Sequence, residues 1–140
     1  MSTDRLVLDT EAYIAHYFEE PGADIVDDWL NQVYDGDLAG FVSTATLVEV
    51  RYIICRAEGM TMADADAYVE QLIWPNFSEN ETNPRNVAEL KCEYPIALGD
   101  AFALATAISK GARLIAGADD DWDEPIEDGY DIERFRTDPA

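Results

Sequence analysis

Short apolar runs, each too brief for a helix and each followed by a longer stretch of helical periodicity, set the architecture of this chain. Arg5 to Leu8 ends at Asp9-Thr10, Leu38 to Val42 leads into Ser43, and Leu114-Ile115-Ala116 runs toward Asp119-Asp120-Asp121. Runs of this length without polar alternation read as strands buried on both faces. Glu11 to Glu19 reads as a helix broken by Pro21-Gly22, and Ile25, Trp29, Leu30 and Val33 mark a second that ends near Asp35-Gly36. Ser43 to Arg56 is helical, with Leu47, Val50, Ile53 and Ile54 on its apolar face and Gly59 as its stop. Thr61 starts another helix, with Tyr68, Val69, Leu72 and Ile73 inward, and Val87, Leu90 and Tyr94 suggest one more. The clearest is the alanine-rich stretch Ala101 to Lys110, closed by Gly111. Weaker signals place a short strand at Trp74 to Phe77, a loop over Ser78 to Asn83 and an edge strand within Tyr130 to Phe135. Strands alternating with helices predict an α/β fold, with a mostly parallel sheet covered by helices on both faces. With 140 residues, no linker and no internal repeat, residues 1–140 read as one domain.

The charge narrows the environment. Thirty acids against nine bases give a net charge of -21, and only Lys91 and Lys110 among the bases are lysines. Such a surface repels itself and repels nucleic acid in dilute buffer. At molar salt the Debye length falls to about 3 Å and both repulsions fade, so the composition reads as halophilic adaptation. The competing reading is an acidic protein that mimics nucleic acid or binds cations loosely. Forty-eight percent hydrophobic residues suffice for a core, which argues against a disordered acidic tail. No segment resembles a secretory signal, and no apolar run approaches the ~18 residues of a membrane span, so a cytoplasmic protein without membrane contact is expected. Cys55 and Cys92 form no metal-ligand cluster and read as buried thiols.

Four acids occupy chemically suggestive positions. Asp9 and Asp119 follow the carboxyl ends of apolar strands, where ligands bind in open α/β sheets. Glu49 lies one turn into the third helix, and Asp100 opens the alanine-rich one. Carboxylates gathered at one sheet edge repel one another unless a cation joins them. A hard ion such as Mg²⁺ or Mn²⁺ suits oxygen ligands and assists phosphodiester hydrolysis. Each acid also has a structural reading. Asp9 and Asp100 would cap helices, Thr46-x-x-Glu49 fits a capping box, and Asp119 sits in a run that reads as a solvated loop. The single histidine, His16, joins no constellation, which excludes a histidine-pair ribonuclease and a zinc site with histidine ligands at metalloprotease spacing.

The order of these segments resembles the PIN-domain family, and within it the VapC-type toxin nucleases. Leu6-Val7-Leu8-Asp9-Thr10 resembles the family's opening strand and acid. Ser43-Thr44-Ala45-Thr46-Leu47-Val48-Glu49 resembles its hydroxyl-rich turn and second acid. Asp100-Ala101-Phe102-Ala103-Leu104-Ala105 matches its third motif, and Asp119 precedes Trp122 by three residues as the fourth acid precedes an aromatic. The resemblance runs from Leu6 to Trp122. It departs at Gly117, where the family often has Ser or Thr. It implies a PIN-like three-layer fold and metal-dependent hydrolysis of RNA phosphodiesters. Asp9 and Asp100 would be the main metal ligands, with Glu49 and Asp119 completing the site and Asp121 sharing metal binding. It further implies a cognate antitoxin as protein partner and a homodimer. Two other functions compete: a PIN-fold binding module that does not cut, and a receiver-like phosphoryl acceptor. The latter needs a lysine after a late strand, whereas Lys91 and Lys110 fall in helical segments.

Overall fold

The computed structural model describes residues 4–138. The single-domain expectation over 1–140 therefore reaches, at Met1–Thr3 and Pro139–Ala140, outside the described residues. Five strands form one sheet: β1 (Arg5–Leu8), β2 (Ala39–Ser43), β3 (Phe77–Asn80), β4 (Arg113–Ala116) and β5 (Ile132–Arg134). Their order is β3-β2-β1-β4-β5, and every neighbouring pair is parallel. β1 is central, with Val7 in register with Phe41 of β2 and Leu114 of β4.

Side chains of β1 point alternately to two cores, as the pleat requires. Leu6 and Leu8 join one core with α1 (Thr10–Phe18), α2 (Ala23–Tyr34), α3 (Thr44–Glu58) and α4 (Met62–Ile73). Val7 joins the other with α5 (Pro84–Glu93), α6 (Leu98–Lys110) and Trp122. Helices thus cover both faces of the sheet, giving the three-layer α/β fold expected for a PIN-like chain. Gly59 and Gly111 end α3 and α6 in the left-handed conformation, at φ 62° and 59°, which glycine adopts without steric cost.

The order of strands positions the site. The chain steps outward from β1 to β2 and β3, then returns to place β4 on the opposite side of β1. The connections leaving β1 and β4 therefore diverge, opening a crevice at the carboxyl ends of these two strands.

Several expectations need correction. The third strand is Phe77–Asn80, not Trp74–Phe77, and it occupies half of the expected loop. It is an edge strand whose single buried residue is Phe77, so its sequence carries almost no apolar signal. α6 begins at Leu98, three residues before Ala101. Beyond Asp119 a 3-10 turn (Asp120–Trp122) and α7 (Asp123–Glu127) replace open loop. Cys92 is exposed and Cys55 half-buried, because α5 turns Val87 and Leu90 inward and leaves Cys92 on its outer face. Trp29 and Tyr68 are half-buried, packed against the first core. Among the described residues no helix is long and apolar enough to cross a membrane.

Candidate functional site

Asp9 ends β1 and is only 1% exposed. Its Oδ1 accepts from the Ala12 amide at 2.8 Å, capping α1, and its Oδ2 accepts from the Gly117 amide at 3.1 Å. The helix-capping reading of Asp9 is thus correct for one oxygen, while the other ties β1 to the turn after β4. Burial pushes the Asp9 carboxyl well above its usual 3.8, the two amides pull it down, and the charges of Asp100 and Glu11 push it up further.

Glu49 is half-buried in α3, and Thr10 donates its hydroxyl to Glu49 Oε1 at 2.7 Å. The carboxylate lies against Gly99, where a Cβ would stand 2.0 Å from Oε1. α3 and α6 can approach this closely because position 99 has no side chain. The capping-box reading of Glu49 fails: Ser43 caps α3 through the Ala45 amide, and Thr46 and Glu49 lie inside the helix. Asp100 does not cap α6 either, since the cap position is Ala97 and Asp100 sits in the first turn. Asp119 caps the 3-10 turn, accepting from the Asp121 amide at 2.9 Å.

These acids share one crevice electrostatically. Asp100 is pushed up from 3.8 to about 7, first by burial, then by the charges of Glu49, Asp119, Glu11 and Asp121. Asp120, between two of these, is exposed and absent from that set. Among the described residues no ion pair involves Asp9, Glu49, Asp100, Asp119 or Asp121. Nor do three acid, histidine or cysteine side chains among them converge tightly enough to hold an ion as they stand. The hydrogen bonds show why: Asp9 is turned to two amides, Glu49 to Thr10, and Asp119 to its own turn. Oxygen donors, excess negative charge and no paired base are what a hard divalent cation requires. The residues therefore fit such an ion, with side-chain movement needed to close around it. His16 is remote from them and pairs with Asp27 across α1 and α2.

Glu11 was not anticipated. It lies in the first turn of α1, accepts from the Ala118 amide at 3.0 Å, and pairs with Arg136 at 2.9 Å. An acid in a first turn reads as a partner of the helix dipole. The available signal was Gly117, whose missing side chain makes room for it. Arg134 adds a second tie, donating to the carbonyls of Gly117 and Asp119 at 2.8 and 2.9 Å.

Residues 6–126 match the family described as PIN domain. The chain belongs to the PIN domain family. Solved structures of like fold include a chain of VapBC2 from Rickettsia felis bound to a DNA fragment from their promoter. It has a TM-score of 0.68 and 14% identity, and the match covers 93% of this chain and 98% of that one. A chain of a toxin-antitoxin complex from Klebsiella pneumoniae matches this PIN domain with a TM-score of 0.61 at 18% identity, over 96% and 98% of the two chains. PAE2754 from Pyrobaculum aerophilum matches with a TM-score of 0.59 at 19% identity, over 98% and 94%. At these identities the likeness is one of fold. Comparison with curated proteins by sequence gives no match.

Proposed function

We propose that this PIN domain is a ribonuclease dependent on a divalent cation, Mg²⁺ or Mn²⁺, and the toxin of a toxin–antitoxin pair. One observation carries the reading: beside the switch point of a parallel sheet, burial and the charges of Glu49, Asp119, Glu11 and Asp121 hold Asp100 near 7, with no base paired to it among the described residues. A protein gains nothing in stability from such an arrangement, so it is expected where a cation is to bind. Membership of the PIN domain family and the fold shared with toxin–antitoxin proteins support the same reading.

Asp9 and Asp100 would be the principal ligands, with Glu49, Asp119 and Asp121 completing the site directly or through water. The cation would supply positive charge to the phosphodiester and lower the pKa of the attacking water. The chain supplies the positioning. Two amides fix Asp9, Thr10 orients Glu49 through its hydroxyl, and the Asp121 amide holds the Asp119 carboxylate. A cognate antitoxin and a second copy of the chain are the protein partners in this proposal. The acidic surface is adapted to a salt-rich cytoplasm, where screening lets RNA approach.

The test is RNA cleavage by the purified protein at high KCl with Mn²⁺ or Mg²⁺, beside Asp9→Asn and Asp100→Asn. Cleavage should require the cation and disappear in both variants, with the fold retained. Full activity in either variant sinks the site assignment. A folded wild type that never cleaves leaves the alternative, a PIN-fold module acting through a protein partner.

A further inference from the structure

Glu11 and Asp9 are held by consecutive amides of one turn. Gly117 donates to Asp9 Oδ2 and Ala118 to Glu11 Oε2, which places the two carboxylates side by side at the crevice. The Glu11 carboxylate fills the volume over Gly117, where a Cβ would fall 1.9 Å from its Cδ and 2.2 Å from its Oε1. Gly117 does not adopt a positive φ, so its lack of a side chain answers to this space and not to backbone strain.

The two hydrogen bonds to Glu11 fall on one oxygen. Oε2 accepts from Ala118 and from Arg136 Nε, while Oε1 accepts none among the described residues. Arg136 is itself only 7% exposed and also pairs with Glu20 at 3.0 Å, so its guanidinium is a fixed support. Oε1 is thus left without a hydrogen-bond partner among the described residues, over Gly117, and the Glu11 charge raises both Asp9 and Asp100.

We propose, resting on the reading that the site takes a divalent cation, that Glu11 is a further carboxylate of that site, aimed by Gly117, the Ala118 amide and Arg136. It supplies Oε1 to the cation or to a water the cation holds. This adds to the five acids that the family resemblance implies, and couples the site to Arg136, far along the chain.

The purely structural alternative makes Glu11 an ion-pair partner of Arg136 and nothing more. Mn²⁺ titration calorimetry on the metal-stripped full chain at fixed high KCl separates the two. Wild type is compared with Glu11→Gln, Glu11→Ala, Gly117→Ala, the double variant Glu11→Ala/Gly117→Ala, Asp100→Asn and Asp120→Asn, with circular dichroism confirming each fold. Glu11→Gln and Gly117→Ala, one removing the charge and the other displacing it, should each weaken Mn²⁺ binding by about 10- to 100-fold, the range for groups supporting a metal. The double variant should bind no worse than Glu11→Ala alone, because the added methyl then has nothing to displace. Asp120→Asn should bind as wild type does. Affinities of Glu11→Gln and Gly117→Ala within about twofold of wild type, beside lost binding in Asp100→Asn, overturn the role of Glu11 and leave the metal site standing. Should Gly117→Ala fail to fold, Glu11→Gln alone decides. Absence of saturable Mn²⁺ binding in wild type overturns the metal site and the role of Glu11 together.

Discussion

Replacing Asp100 with Asn should stabilise the metal-free protein, and by an amount that depends on pH. In the unfolded chain Asp100 ionises near 3.8, whereas in the folded chain its pKa is about 7. Below about pH 4 both states hold the proton, so wild type and Asp100→Asn should melt alike. Between about pH 4 and 7 the unfolded state releases its proton while the folded state keeps it, so wild type loses stability as pH rises. Above about pH 7 the penalty is complete. The gap between 3.8 and about 7 corresponds to about 4 kcal/mol as a ceiling, at 1.36 kcal/mol per pH unit. Asp100 keeps partial access to water, and salt weakens the repulsion from Glu49 and Asp119, so about 2 kcal/mol is the working expectation. For a chain of this size that is roughly 5–10 °C in melting temperature. The assay is thermal unfolding by circular dichroism with chelator at fixed molar KCl, from about pH 4 to 9, on wild type and Asp100→Asn. A difference between the two that stays constant across this range, or a variant less stable than wild type at high pH, would refute the account of Asp100 as an ionised acid held against its neighbours.

Gly99→Ala should fold with little change or modest stabilisation, since alanine gains about 1 kcal/mol over glycine in a helix. Its methyl would nevertheless stand 2.0 Å from Glu49 Oε1, so Glu49 must leave Thr10 and metal-dependent cleavage should fall; undiminished cleavage would show that Glu49 is dispensable. With a net charge of -21, the protein should loosen or unfold at ~10 mM salt and become compact above ~1 M KCl, where screening is short-ranged. A melting temperature flat across a KCl titration would count against the halophilic reading, though not against the fold.

How much of this was legible beforehand differs by element. β1 and β4 are buried on both faces, so Leu6-Val7-Leu8 and Leu114-Ile115-Ala116 declare themselves as apolar runs. Helices ended by Gly59 and Gly111 carry a stop that depends only on local backbone geometry. β3 failed because an edge strand needs an apolar residue on one face alone, and Ser78-Glu79-Asn80 reads as loop. The start of α6 failed because Gly99 looks like a helix breaker until Glu49, 50 positions earlier, is seen to occupy the space of its missing side chain. The acids Asp9, Glu49, Asp100 and Asp119 were named from position and resemblance, whereas the bonds of Asp9 to the Gly117 amide and of Glu49 to Thr10 join residues no local pattern connects. Glu11 stayed hidden for that reason, since its partners Ala118 and Arg136 lie 107 and 125 positions away.

The central place of β1 has a consequence for synthesis on the ribosome. Asp9 emerges well before the amide that fixes its second oxygen, which belongs to Gly117, 108 positions later. A nascent chain halted before β4 has β1 paired on one side only, with no wall for the crevice. Such non-local pairing also makes folding slow relative to local helix formation. On the proposed function, the chain would therefore be harmless beside the message that encodes it until β4 and β5 have been made. Its activity should appear with a lag after translation, set by the closing of the sheet.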